Sequence, residues 1–154
     1  MTPLKPGRLA PDFDLETDAG ERLSLKSLRG QTVVLYFYPK DDTTGCTQEA
    51  CEFRDAFPRF KKSKAVILGI SPDSPAKQKK FAEKFDLPFR LLSDIEHTVA
   101  EKYAVWKQKS MYGRTYMGIE RSAFLIGSDG RIERAWYKIS PKDTPLELLA
   151  ALKK

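Results

Sequence analysis

Residues 32–38, TVVLYFY, constrain the fold more than any other part of the chain. The run is β-branched and aromatic without polar alternation, the mark of a strand buried on both faces. Such a strand needs a layer of structure above and below it, and Pro39 ends it. Around it the elements read β-α-β-α-β-hairpin-α. Residues 13–15 and 22–25 are two short strands about the turn Asp18-Ala19-Gly20. A helix runs from about Cys46, with Phe53, Phe57 and Phe60 at helical spacing, and Pro58 predicts a kink or restart. Residues 65–70 (AVILGI) form a second buried strand. Residues 74–86 form an amphipathic helix with Ser74 as cap and Pro75 in its first turn. A short strand follows at 89–92 and a helix at 97–103. Residues 122–126 and 132–137 flank the turn Gly127-Ser128-Asp129-Gly130, and 143–152 close the chain as a helix. The pattern is that of one α/β domain over residues 1–154. It has a central mixed β-sheet flanked by helices on both faces and an N-terminal β-hairpin.

The net charge of +6 raises the question of nucleic acid. The densest basic clusters, Lys61/Lys62/Lys64 and Lys77/Lys79/Lys80, carry no interleaved aromatic residues to stack on bases, so they read as solvated faces. No apolar run reaches the length of a membrane span, and the first residues lack the apolar core of a secretory signal. A cytoplasmic location is expected. The two cysteines are spaced C-x4-C, and His97 alone cannot complete a four-ligand metal site with them. A metal role is not expected.

Chemistry concentrates in residues 39–51, PKDDTTGCTQEAC. This segment leaves the buried strand and opens a helix, at the sheet end where α/β folds bind ligands. Cys46 falls in or near the helix's first turn, where free N–H groups and the helix dipole favour a thiolate. The alternative, a small buried hydrophobe, fits poorly with flanking Thr43, Thr44, Gly45 and Thr47. On one helix, Cys46 and Cys51 would have Cα atoms roughly 8.5 Å apart and pointing in different directions. A disulfide needs them within about 7 Å. The two sulfurs therefore either never pair or pair only when the helix start unravels, as a redox switch could.

These residues resemble the peroxiredoxins, specifically the bacterioferritin comigratory protein or peroxiredoxin Q group. The family's P-x3-T-x2-C signature stands as Pro39, Thr43 and Cys46, and Cys51 matches the resolving cysteine of many members. The stretch 118–126, GIERSAFLI, resembles a second family segment and supplies Arg121; APDF at 10–13 and YFYPKD at 36–41 also match. The resemblance implies a thioredoxin-like fold and a thiol-dependent peroxidase of the atypical two-cysteine kind. Cys46 attacks hydrogen peroxide or an organic hydroperoxide to give a sulfenic acid, Cys51 resolves it as a disulfide, and thioredoxin or a similar dithiol reduces that disulfide. It implies no metal, haem or flavin and a monomer; the scattered basic residues and the lack of a long apolar run already argue against a nucleic-acid or membrane partner.

An ordinary thiol is a few per cent ionised at neutral pH, so complete ionisation gains at most roughly thirty-fold, about 2 kcal/mol. The rest of a peroxidase's acceleration must come from alignment and from stabilising charge on the departing oxygen. By resemblance, Arg121 and Thr43 supply this with the backbone around Gly45 and Cys46, while Pro39 shields the sulfur. Glu49, one helical turn beyond Cys46, either orients Arg121 or is a solvated helix residue. Trp106 and Tyr38 either line the site or belong to the core, and His97 reads as an ordinary helix-start residue. Two other classes compete: a general thiol-disulfide oxidoreductase, against which the C-x4-C spacing argues, and a non-enzymatic redox-sensing or basic binding module.

Overall fold

In a computed structural model that describes residues 3–152, the strand β3 (Thr32–Phe37) runs through the interior of a seven-stranded sheet. It pairs parallel with β4 (Ala65–Ser71) and antiparallel with β8 (Ser122–Ile126). β5 (Arg90–Ser93) continues the sheet beyond β4, followed by the N-terminal hairpin of β1 (Asp14–Thr17) and β2 (Arg22–Ser24). β9 (Ile132–Trp136) closes the other edge beside β8. The sheet is mixed, as expected of short hairpins joined to strand–helix–strand units.

Alternation along β3 sorts its side chains into two cores. Val33, Leu35 and Phe37 face a cluster that includes Tyr103, Phe124 and the helix α3 (Thr98–Lys102). Val34 and Tyr36 face the other cluster, built by α1 (Thr44–Lys62), α2 (Pro75–Lys84) and α4 (Asp143–Leu152). Helices thus cover both faces, three against one. In the second cluster Tyr36 stacks on Phe53 of α1 at 4.6 Å between ring centroids. Its register neighbours on either side are Gly69 and Ala123, two small residues that leave room for the ring. A Cβ at Gly69 would lie 2.8 Å from Tyr36 Cζ, so glycine is required there by close approach.

Two expectations need correction. Pro58 lies inside α1 without restarting it: the helix is continuous over Thr44–Lys62. Pro58 is exposed, and buried Phe53 and Phe60 on either side of it fasten the helix to the sheet. Packing offsets the one lost backbone bond. The second correction is a two-stranded antiparallel arm of β6 (Trp106–Met111) and β7 (Arg114–Ile119), which pattern reading leaves unassigned. Its turn is Tyr112-Gly113, both with positive φ (52° and 77°). Ser74 caps α2 as expected, accepting from the Lys77 N–H. The basic clusters at 61–64 and 77–80 lie exposed at the end of α1 and on α2. No helix among the described residues is long and apolar enough to cross a membrane.

The Tyr36 hydroxyl is buried without a hydrogen-bond partner, so the phenol contributes through its ring. Phe53→Ala should therefore destabilise the fold by about 3–5 kcal/mol, whereas Tyr36→Phe should change stability by no more than about 1 kcal/mol. Urea denaturation of the two variants checks this; a loss on Tyr36→Phe as large as that on Phe53→Ala would contradict it.

Candidate active site

The loop after β3 and the start of α1 place the sulfur. Pro39 forms a half-buried bend behind Tyr38, and Asp42 takes a left-handed conformation (φ 59°) that turns the chain into the helix. Thr43 occupies the N-cap position, yet its hydroxyl makes no cap bond and donates instead to the Lys40 carbonyl at 3.0 Å. The first N–H groups of α1 are therefore not taken by a side-chain cap. Cys46 is the third residue of the helix and is buried, 2% exposed, in the cluster with Tyr36, Tyr38 and Phe53. The expectation that its polar neighbours would keep it from a buried position fails. Thr43 and Thr44 are exposed and Gly45 and Thr47 half-buried, while the thiol between them turns inward.

Arg121 reaches this sulfur because of sheet register. Phe37 at the end of β3 pairs with Ser122 at the start of β8, so Arg121 stands one residue past the strand end from which the Cys46 loop departs. By alternation it shares the face of Ala123 and Leu125, the face that α1 covers. The Ile139 N–H holds the Arg121 carbonyl at 2.9 Å. The guanidinium donates Nη2–H to Cys46 Sγ at 3.3 Å and Nη1–H to Glu49 Oε1 at 2.6 Å. Gly45 makes room for it: a Cβ there would sit 3.3 Å from Nη2 and 3.2 Å from Pro141 Cγ.

Glu49 is fully buried, which excludes the solvated-helix alternative. Burial pushes its carboxyl up to about 7, and the Arg121 charge offsets only part of that effect. Its second oxygen, Oε2, has no hydrogen-bond partner. The nearby Thr144 hydroxyl, also buried, donates to the Ser140 carbonyl instead. Cys46, Glu49 and Arg121 thus form one contact group, with Gly45 beside it and Pro39 at the bend that leads to it. The Thr43 hydroxyl makes no bond to the sulfur. Cys51 lies further along α1, half-buried, and both cysteines are free thiols.

Several neighbours escape sequence reasoning. Lys109 on β6 lays its methylene stem over Gly118 (3.3 Å to the Cβ position) and feels both Arg121 and Cys46. Burial, then Arg121, hold its ammonium below the usual lysine range. Pro141 and Thr144 come from the loop before α4 and its first turn. None carries a local signal, since each arrives by tertiary folding. Tyr38 is core, with its hydroxyl on Asp41 Oδ1 at 2.6 Å. Trp106 stacks on His97 at 4.0 Å between ring centroids, packed against the other core.

The Glu49 carboxyl binds a proton more tightly in the fold than its ordinary value of 4.5 allows in the open chain. Its contribution to stability is full below about 4.5 and is lost as pH rises through about 7. Glu49→Gln should remove that decline, so its melting temperature should gain on the wild type between pH 5 and 8. Parallel thermal melts across that range test the point, and a constant difference would refute it.

Residues 6–135 match the AhpC/TSA family. Peroxiredoxin Bcp of Bacillus subtilis is 52% identical over 147 residues, covering 96% of this chain and 94% of that protein. Among solved structures, the bacterioferritin comigratory protein of Xanthomonas campestris, which has alkyl peroxide reduction activity, is 38% identical with a TM-score of 0.87, over 92% of this chain and 90% of that one. A cysteine-to-serine mutant of peroxiredoxin Q from Xylella fastidiosa is 34% identical with a TM-score of 0.93, over 99% and 98%. The thioredoxin-like fold, the signature loop and this similarity over nearly the whole length agree: the chain is a member of the AhpC/TSA family, in the Bcp or peroxiredoxin Q group of the peroxiredoxins.

Proposed function

We propose that Cys46 is the sulfur that attacks the hydroperoxide and that Cys51 resolves the product. Membership of the peroxiredoxins makes the chain a thiol-dependent peroxidase with a peroxide substrate and a dithiol reductant. One observation supports the residue assignment above all others: a permanent cation donates a hydrogen bond to the Cys46 sulfur from a water-poor site. A general oxidoreductase has no need of such a donor, because it breaks an S–S bond without generating an alkoxide.

The Cys46 thiolate attacks one peroxide oxygen in line with the O–O bond. That bond breaks, the sulfur becomes a sulfenic acid, and the departing oxygen takes the electron pair and a proton to leave as water or an alcohol. Negative charge moves from sulfur to the departing oxygen along this path. Arg121 stands 3.3 Å from where it starts and can follow it, since its fork presents several donors in one plane. Thr43 fits as an acceptor. Its own proton is committed to Lys40, so its lone pairs are left for the peroxide O–H. The N–H groups of Gly45 and Cys46 lie in the first turn of α1, where they have no intrahelical acceptor. Glu49 fixes the guanidinium through its 2.6 Å bond, and half-buried Pro39 limits water at the entrance.

Resolution needs motion. The two cysteines share one continuous helix, so their Cα atoms are too far apart to bond until the turns between them open. Cys51 then displaces water from the sulfenic acid and forms the disulfide. A thioredoxin-like carrier accepts it by exchange and leaves two thiols. The chain acts as a monomer in this scheme, since both sulfurs come from one copy, and a cytoplasmic location suits its free thiols.

Cys46→Ser should abolish peroxide reduction. Cys51→Ser should consume one equivalent and stall as a sulfenic acid when thioredoxin is the only reductant, as mass spectrometry with a sulfenic-acid probe would show. Sustained thioredoxin-driven turnover by Cys51→Ser would overturn the resolving role. Arg121→Met should lower kcat/KM for peroxide by about 10²- to 10³-fold, with Arg121→Lys recovering only part because a point charge replaces the fork. Stopped-flow peroxide consumption measures both.

A further inference from the structure

Behind the catalytic loop lies a second buried polar group that the peroxidase chemistry does not use. The Tyr38 hydroxyl donates to Asp41 Oδ1 at 2.6 Å, and the Asp41 N–H donates to Asp73 Oδ2 at 2.8 Å. Asp73 is buried after β4 and held from several sides: the Ser71 hydroxyl donates to its Oδ2 at 2.9 Å, and the Ser93 hydroxyl to its carbonyl at 2.6 Å. Gln78, fully buried on α2, donates to Ser71 Oγ at 3.0 Å and to the Leu92 carbonyl at 2.6 Å. One side of the pair is therefore rigidly built into the sheet. The other side is the six-residue loop between β3 and α1, which carries a left-handed non-glycine residue, Asp42, a conformation disfavoured for any residue with a Cβ. Asp42 itself is tied to Lys84 of α2 at 2.9 Å.

Asp41 Oδ2 is buried with no donor, and the Asp73 carboxylate, held 2.8 Å from the Asp41 N–H, adds negative charge close to it. Two carboxylates sharing a site without a proton repel each other, whereas a single proton between them makes a bond. We infer that Asp41 is a positioning residue whose proton, shared with Asp73, latches the loop before α1 and so governs how readily the Cys46-bearing turn opens for Cys51. The inference rests on the resolving role proposed above for Cys51.

The direction of the pH effect follows. Burial first, and Asp73 with it, raise the Asp41 carboxyl to about 7, against the opposing pulls of the Tyr38 bond and the Lys77 charge. The groups facing it are Tyr36 of β3, Tyr38 just after it, Asp73 behind β4 and Lys77 of α2. Lys40, Asp42, Lys80 and Lys84 line the same cleft of about 260 Å³. A raised value in the closed form means that the latch is strong below the ordinary carboxylate range and weakens as pH rises through about 7. Opening, and hence disulfide formation, is favoured above neutrality.

The test follows the resolution step alone. The reduced enzyme receives one equivalent of peroxide, is quenched with an alkylating agent at successive times, and is resolved by mass spectrometry into thiol, sulfenic acid and disulfide. Asp41→Asn stays neutral and can donate to Asp73 at every pH. It should form disulfide more slowly than the wild type, with the gap widening about fivefold between pH 6 and pH 8. Asp41→Ala keeps the backbone N–H bond to Asp73 but has no carboxyl to share a proton with it, and should be faster than wild type at pH 6. The first step, loss of the Cys46 thiol, should stay within about twofold in both, since Asp41 touches neither sulfur nor Arg121. Hydrogen exchange of the amides at 44–47 supplies a readout that loss of fold would not mimic: protection in the reduced wild type should fall from pH 6 to pH 8 beyond the intrinsic change, and Asp41→Asn should retain it. Resolution and protection identical to wild type in both variants would overturn the latch while leaving Cys51→Ser stalled. Full thioredoxin-driven turnover by Cys51→Ser would instead overturn the reading of Cys51 on which the latch depends.

Discussion

The packing of Tyr36 between α1 and the sheet is the interaction on which the rest of the molecule depends. The phenol ring stands where Gly69 has no side chain and Ala123 has a short one, and it stacks on Phe53. That seats the first half of α1 on the strands β3, β4 and β8. Because β3 ends where β8 begins, the same seating brings a helix start and an arginine to one edge. A side chain larger than glycine at 69 would push the ring outward, and α1 with it, at a cost set by how little a packed core can relax. The geometry of the sulfur is thus an outcome of packing within the cluster that buries it.

Around that sulfur the molecule balances buried charges of both signs. A guanidinium 15% exposed in its side chain touches a fully buried carboxylate on one side and a thiol on the other. An arginine that compensated Glu49 alone would be an ordinary buried ion pair, of uncertain net value. Shared between Glu49 and Cys46, it has one more negative group to satisfy when the sulfur ionises and one fewer when it is oxidised. The charge balance of the site changes at each step of the cycle.

Much of this was legible in the chain itself. The unbroken apolar run at 32–38, Ser74 before Pro75, and the Gly-Ser-Asp-Gly turn each carry a local physical cause, and each element formed where that cause placed it. The signature Pro39, Thr43, Cys46 and the later Arg121 marked the candidate site, and the structure joins Arg121, Glu49 and Cys46 in one contact group. Three things were not legible. The β6–β7 arm alternates poorly, because both of its faces carry lysine or threonine, and its turn begins with Tyr112 rather than a usual turn residue. Pro58 signals a break that packing of Phe53 and Phe60 overrides. The depth of Cys46 and the arrival of Lys109, Pro141 and Thr144 depend on which face of α1 meets the sheet, a fact no window of sequence contains.

The uncapped start of α1 has a wider consequence. A side-chain cap at Thr43 would strengthen the helix by about 1 kcal/mol, and the residue type to supply it is already in place, turned away toward Lys40. A helix end so finished would hold its N–H groups closed to any incoming oxygen and would fray less readily. In the proposed cycle, the groups that would donate to the peroxide and the end that must open are the same unsatisfied N–H groups. Thermostability gained at this one position would be taken from turnover, so an effort to harden the protein is better spent at the far end of α1 or on the edge strands.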